Sequence, residues 1–289
     1  MQDRIEYFLW VSLSHLVRLL GLNISRKVAY LITILFYFFI PIRKSTVKDN
    51  LVKAFPSYSK KKINKIAFNS YKSFMITFME ILYLPSIKKS QVEAAVKFTN
   101  LSYIRDQYNE GNGAIMLGAH FGNWEYMAMS GAIQAGIPFS VIVKPQRNTL
   151  VSDWLDSLRI KFGNKIVPLG ISVRQIYKEL KDKNIVALVA DQRGPEDAIR
   201  INFMGRMASV YPGPAILALK TGAPLVFGVA VRQPDYSYKT ELEIISKENL
   251  PEDEELKIIE LSQRHTAALE KYIHKYPEQW LWMHKRWKY

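Results

Sequence analysis

From residue 114 onward this chain alternates short, uncharged apolar runs with amphipathic stretches, and few folds accept that pattern. "AIMLG" (114–118), "FSVIV" (139–143), "IVALVA" (185–190) and "PLVFGVAV" (224–231) are apolar on both faces, as strands sandwiched between two helical layers must be. Between them lie helical stretches at Glu125–Ala135, Thr149–Phe162, Val173–Lys181 and Gly213–Thr221. The alternation predicts an α/β fold, a mixed, largely parallel sheet flanked by helices. "ELEIIS" (241–246) predicts one more strand, and Glu252–Lys275 a long charged helix. Upstream, residues 59–84 carry Ile63, Ile66, Phe74, Phe78 and Ile81 at helical spacing, with Ser59 placed to cap the start and Pro85 beyond the end.

The front of the chain reads differently. "IEYFLWVSLSHLVRLLGLNI" (5–24) is apolar with three interruptions, and "VAYLITILFYFFIPI" (28–42) has no charge at all. A spanning helix needs about 20 apolar residues, so neither run alone makes a clean span, and Pro41 closes the second. No small-residue cleavage site follows, which argues against a signal peptide. Tyr30, Phe36, Tyr37, Phe38 and Phe39 suit a membrane boundary, with Arg43, Lys44, Lys48 and Lys53 directly after them. The alternative is a buried core helix. Residues 1–55 are therefore expected to form a membrane-anchoring helical segment, and residues 56–289 the α/β domain. If the segment spans, the positive-inside bias places the remainder in the cytoplasm.

Charge supports that division. The formal net charge is +14, and residues 1–65 hold 12 Lys/Arg against 3 Asp/Glu, a surplus of nine. Basic residues beside apolar ones fit an anionic membrane surface. No nucleic-acid-binding signature accompanies them, so no nucleic-acid partner is expected. The chain has no cysteine, which removes disulfides, thiolate nucleophiles and Cys-based zinc sites.

In open α/β sheets ligands bind at the carboxyl ends of strands. "AIMLGAH" runs straight into His120 there, and Glu125 falls in the first turn of the following helix. A neutral imidazole can take a proton from a hydroxyl if a carboxylate fixes its tautomer through the other ring nitrogen. The H-x4-E spacing lets Glu125 serve as that carboxylate. Gly122 permits the tight turn, Asn123 is placed to cap the helix, and Phe121 and Trp124 can exclude water. The ordinary alternative is a surface histidine beside an acid that complements the helix dipole. His15, His265, His274 and His284 lie in anchor or helical contexts, and no metal site is expected.

"GAHFGNWE" resembles the H-x4-D/E motif of glycerolipid and lysophospholipid acyltransferases. It is most similar to the branch containing the late, or secondary, acyltransferases of bacterial lipid A biosynthesis. "VIVKPQRN", "ALVADQRG", "INFMGRMASVYPGPAILALKTGAPLV" and "PEQWLWMHKRWK" resemble further blocks of that family in the same order, so the likeness covers nearly the whole chain. "ASVYPGPA" departs from it, with Ser209 and Tyr211 where threonine-rich versions are common. The resemblance implies transfer of a fatty acyl group from an acyl carrier protein thioester, or from acyl-CoA, to a hydroxyl of a membrane glycolipid. It implies His120 as general base, Glu125 as its partner, no acyl-enzyme and no cofactor. It also implies a bacterial inner membrane location with the catalytic domain facing the cytoplasm. Family members also act on mannosylated phosphatidylinositol and other amphiphiles, so the acceptor stays open.

Further contacts are expected around this centre. Asn123 and Trp124 lie within the motif, next to the substrate. Lys144 and Arg147 follow a strand at the same sheet edge and are placed to bind phosphates. Asp191 and Gln192 end "IVALVA" and are expected to position substrate or to hold Arg193 or Arg147. Phe203 and Gly205 are expected to shape the acyl or acceptor cleft, unless they form a plain β-turn. Arg232 is placed to reach an anionic headgroup, or else to cap the sheet. Trp280, Trp282 and Trp287 suit either the membrane interface or packing against the domain. Two other functions compete: a hydrolase that activates water at His120, and a lipid-binding scaffold without turnover.

Overall fold

The computed structural model describes residues 1–170 and 173–288. The chain opens with α1 (Gln2–Ile34), a π-helical turn (Leu35–Phe39), α2 (Lys44–Ala54), α3 (Lys60–Tyr83) and α4 (Lys89–Ala95). The α/β body follows with β1 (Val96–Thr99), α5 (Ser102–Asn109), β2 (Ala114–Gly118), α6 (Trp124–Ala135), β3 (Phe139–Val143), α7 (Thr149–Ile160), β4 (Lys165–Pro168), α8 (Val173–Lys181) and β5 (Ile185–Val189). It continues with β6 (Arg200–Phe203), β7 (Arg206–Ser209), α9 (Gly213–Thr221), β8 (Leu225–Phe227), β9 (Val231–Arg232), β10 (Tyr238–Glu241), β11 (Glu243–Ile245) and α10 (Glu254–Lys275).

The uncharged runs become the centre of a six-stranded sheet in the order β11-β8-β2-β5-β3-β4. Only β11 runs antiparallel to its neighbour; the other pairings are parallel. β2 is buried at all five positions because β5 and β8 pair with it on either side and helices cover both faces. Alternate residues feed opposite layers, as strand pleating requires. Ile115 and Leu117 pack with Ala215, Ala218, Leu261 and Leu269 from α9 and α10. Ala114 and Met116 pack with Ile104, Ala132 and Ala135 from α5 and α6.

The run 224–231 is not one strand. It divides into β8 in the main sheet and β9, which joins β1 and β10 in a second sheet of order β1-β10-β9. β6 and β7 form a separate hairpin.

The N-terminal region inverts the usual amphipathic pattern. α1 turns small residues inward (Ser14, Val17, Ser25, Ala29 and Thr33 are buried) and lies along α3. Its large apolar residues point outward, with Phe8 69%, Leu19 85% and Phe39, just beyond it, 74% exposed. Among the described residues, Gln2–Phe39 is the one stretch long and apolar enough to cross a membrane. Gly21, at φ 74° and ψ 161°, interrupts its helical backbone. Tyr37 departs from the boundary role expected of it. It is buried, donates to the Asn64 carbonyl at 3.3 Å and meets Phe68 and Tyr71 edge-on.

The C-terminal tryptophans also settle between the two expectations. Trp280 and Trp282 are buried at 3% and 0% exposure, inside the core cluster that holds Ile115, Val47 and Leu51. Their rings stand edge-on, centroids 4.6 Å apart.

Candidate active site

The end of β2 leads into a turn, Ala119–Asn123, gripped from several sides. The Phe121 N–H donates to the Ala119 carbonyl at 2.7 Å, the Gly122 N–H to Gln279 O at 3.0 Å, and the Leu281 N–H to His120 O at 3.0 Å. The Thr77 hydroxyl of α3 donates to the Gly122 carbonyl at 2.6 Å. Gly122 has φ +55°, and a Cβ there would stand 1.8 Å from the Ala230 carbonyl oxygen. Gly122→Ala is therefore expected to lower stability by at least about 2 kcal/mol, from left-handed strain and a backbone overlap together. Thermal denaturation checks this.

That turn presents His120 to the end of the neighbouring strand. β2 and β5 pair in register from Ala114↔Ile185 to Gly118↔Val189. Continuing the same register by two residues places His120 opposite Asp191. The contact is direct: Asp191 Oδ1 lies 2.7 Å from His120 Nδ1. Asp191 Oδ2 accepts from the His120 backbone N–H at 2.9 Å and from the Trp280 indole N–H at 2.8 Å. Nδ1 therefore carries a proton in the neutral ring, and Nε2 is the nitrogen left to take one.

Glu125 stands elsewhere than the H-x4-E spacing suggested. Its Oε1 accepts from Arg159 Nη2 at 2.6 Å and its Oε2 from Arg159 Nε at 3.0 Å. This is a two-pronged pair with side-chain exposures of 9% and 16%. Arg159 also donates to Asp156 at 2.8 Å. The acid bonded to the second ring nitrogen is thus Asp191, and the expected His120–Glu125 hydrogen bond gives way to Glu125–Arg159. The cause is topological. A residue at a parallel strand's end faces the end of the adjacent strand, whereas α6 turns Glu125 toward α7.

The electrostatics couple these groups. Burial pulls the His120 imidazole down. The Asp191 charge and hydrogen bond, with a smaller contribution from Glu125, outweigh burial and the opposing Arg159, so its pKa is raised above 6.5. Burial pushes the Asp191 carboxyl up. The imidazole's charge and N–H, the Trp280 indole and the His120 amide hold it below its ordinary 3.8 all the same. A general base must start neutral. We expect kcat/KM to fall as pH drops through a limb displaced above 6.5 and to level off at alkaline pH. A pH–rate profile with its acid limb below that value would contradict the pairing. By contrast, burial first and then neighbouring cations bring His265 and His284 down to about 4, and His284 Nε2 accepts from the Arg193 backbone N–H.

The other candidates divide into those near the imidazole and those away from it. Trp124 is half-buried, its ring edge-on to His120 with centroids 4.9 Å apart. Asn123 is fully buried; its Oδ1 caps α6 by accepting from Tyr126 N–H at 2.9 Å, and its Nδ2 donates to Glu80 at 2.8 Å. The cap was expected. The amide is committed to this inner network, which leaves it no open side toward a substrate. Lys144 is exposed just past β3, and Gln192 is half-buried beside Asp191. Arg147 is exposed and bonds Asp3 at 3.2 Å and Glu6 at 2.6 Å, both on α1, rather than Asp191. Phe203 is fully buried and packs on Trp280 and Trp287. Gly205, at φ +76°, makes the exposed turn of the β6–β7 hairpin, the plainer of its two readings. Arg232 turns inward to Tyr238 OH at 2.8 Å, Ser73 at 2.7 Å and Thr77 at 2.5 Å, so its guanidinium faces the interior rather than a headgroup.

Arg159 and Glu80 were not among the expected site residues. A signal for Glu80 exists: Ser70, Ser73, Thr77 and Glu80 form a polar stripe at helical spacing on α3, and all four are buried.

An imidazole backed by a buried carboxylate at a strand's carboxyl end is an arrangement able to take a proton from a hydroxyl, as one class of transfer enzymes requires. The comparisons give that class its chemistry. The model of the bacterial lipid A biosynthesis acyltransferase family matches residues 2–289, and the chain belongs to this family. It is an acyltransferase. It is 26% identical over 254 residues to a lipid A biosynthesis lauroyltransferase of Escherichia coli (strain K12), covering 86% of this chain and 80% of that protein. A lipid A biosynthesis palmitoleoyltransferase of the same organism is 24% identical over 253 residues, with the same coverage. A phosphatidylinositol mannoside acyltransferase of Mycolicibacterium smegmatis is 23% identical over 160 residues, covering 54% of this chain and 52% of that protein.

Proposed function

We propose that this chain is a membrane-associated O-acyltransferase. It moves a fatty acyl chain from an acyl carrier protein thioester, or a CoA thioester, to a hydroxyl of a lipid A precursor or a related glycolipid. The observation carrying the chemistry is the His120 Nδ1–Asp191 bond at 2.7 Å, which leaves Nε2 as the base. Nε2 takes the acceptor's hydroxyl proton as its oxygen attacks the thioester carbonyl. The tetrahedral intermediate then expels the thiolate, which takes the proton back from the imidazolium. Asp191 and, through space, Glu125 stabilise the positive ring in between. No acyl-enzyme is needed, and the chain has no cysteine to form one as a thioester.

Membrane association rests on residues 1–55. Large apolar side chains on α1 and the π-helical turn face outward while small ones pack on α3. Outward apolar surface of this kind fits lipid rather than water. Exposed Arg4, Lys27 and Arg43 stand beside it, as contact with anionic lipid requires. The location is the cytoplasmic face of the bacterial inner membrane. Lys144, at the carboxyl end of β3, is placed to meet a phosphate of donor or acceptor. The mycobacterial relatives favour a second acceptor, a mannosylated phosphoinositide.

The test incubates purified protein with acyl carrier protein thioester and lipid A precursor in mixed micelles, and identifies products by mass spectrometry. Acylated lipid is the expected result. Free fatty acid without acylated lipid would mean a hydrolase, and lipid binding with neither product a non-catalytic protein.

A further inference from the structure

Beneath the catalytic turn lies a charged cluster that the acyl-transfer chemistry does not use. Glu80 on α3 is fully buried. Its Oε1 accepts from Arg26 Nε at 2.9 Å and Nη2 at 2.7 Å. Its Oε2 accepts from Asn123 Nδ2 at 2.8 Å and from the Tyr238 hydroxyl at 2.5 Å. One carboxylate thus joins α1, α3, β10 and the residue that begins α6. Arg232 bonds the same Tyr238 hydroxyl and the Thr77 hydroxyl, which in turn holds the Gly122 carbonyl.

The donor pattern at Asn123 shows what this arrangement requires. Its Oδ1 must accept, because it caps the Tyr126 N–H. Its Nδ2 must then donate, so only an acceptor can stand opposite. A carboxylate there meets Asn123, Tyr238 and Arg26 at once, which an amide cannot do. A carboxylate is costly to bury unless it is paired and hydrogen-bonded in this way.

We propose that Glu80 is a positioning residue for His120. It fixes the Asn123 amide, Asn123 fixes the start of α6, and the two ends of the Ala119–Asn123 turn then hold the imidazole over Asp191. Through Arg26, the seating of α1 on α3 reaches the same turn. This rests on His120 being the base. The readouts separate the two ideas, because one of them does not use activity.

The experiment compares Glu80→Gln, Asn123→Ser and the swapped pair Glu80→Gln/Asn123→Asp in the full chain. Hydrogen exchange is followed over residues 117–127, alongside kcat and KM. Glu80→Gln keeps one acceptor oxygen, so its NH₂ faces either the Asn123 and Tyr238 donors or the Arg26 guanidinium, and the link between α1 and the turn breaks on one side or the other. It is expected to speed exchange over 117–127 and to lower kcat on the order of 10²-fold, the cost of a small misplacement of a catalytic group. KM should stay within about twofold, as for an interaction felt in the transition state. The swap restores a donor facing an acceptor and should recover most of kcat. Asn123→Ser keeps a capping oxygen but cuts the link to Glu80. It should lower kcat in the same way, and it decides the matter if Glu80→Gln does not fold. Folded Glu80→Gln or Asn123→Ser with wild-type kcat would overturn the proposal. So would unchanged exchange over 117–127 in either, and that result counts even if the wild-type protein transfers no acyl group.

Discussion

Asp191→Asn is expected to lower kcat by about 10⁴-fold with little change in fold, the scale on which a base held in the wrong tautomer fails. The geometry dictates how the amide must sit. Asp191 Oδ2 receives two donors, the His120 backbone N–H and the Trp280 indole N–H. An asparagine satisfies both only by placing its oxygen there. Its NH₂ then faces His120 Nδ1, which must become an acceptor. The ring proton moves to Nε2, and the nitrogen that should take the substrate's proton already carries one. His120→Ala removes the base outright and should reach the same floor. The double variant should be little worse than either single one, because the two side chains act as a unit. Steady-state kinetics on protein shown to be folded by near-UV circular dichroism decide this. If Asp191→Asn retains a tenth or more of wild-type kcat, Asp191 is not the group that sets the tautomer.

The pairing was partly legible in the sequence. "AIMLGAH" and "IVALVAD" are two seven-residue runs, each four or more apolar residues long and each ending in a chemically active residue. Aligned as adjacent parallel strands, they set His120 beside Asp191. Sequence alone does not say that these strands are neighbours, since β2 and β5 are separated by β3, β4 and three helices. Local signals carried what is local: the β2, β3 and β5 runs, the α6 to α9 helices, and the Ser59 and Asn123 caps. The H-x4-E spacing was also local. It drew Glu125 to the imidazole because nothing nearby in sequence reveals Arg159, 34 residues further on. β1 and β10 escaped notice for a related reason: four-residue strands on a small sheet have too few positions to show a period. Burial of the C-terminal tail is likewise long-range. Asn50 on α2 donates to the Trp282 and His284 carbonyls, a contact no local pattern announces.

Glu125→Ala is expected to cost about 3 kcal/mol of stability, because it removes two of the bonds to the Arg159 guanidinium, only 16% exposed, and leaves it the single bond to Asp156. That is a large share of the roughly 5–15 kcal/mol that holds a typical protein folded. Arg159→Ala should cost a similar amount by stranding Glu125. Glu125→Gln/Arg159→Met, which removes both buried charges and leaves only the partly exposed Asp156 without its cation, should be more stable than either alanine variant. Chemical denaturation with a constant m-value checks each comparison. The catalytic consequence is smaller and different in kind. Glu125 acts on His120 through space and raises its pKa, so the folded fraction of Glu125→Gln should show its acid limb displaced to lower pH. Its kcat should fall by roughly ten- to a hundredfold, far short of the loss expected when the tautomer is wrong. The two acids thereby make opposite forecasts. If Glu125→Gln is stable yet collapses kcat as deeply as Asp191→Asn, the acid that orients the imidazole during turnover is Glu125, and the Asp191 bond belongs only to the resting protein.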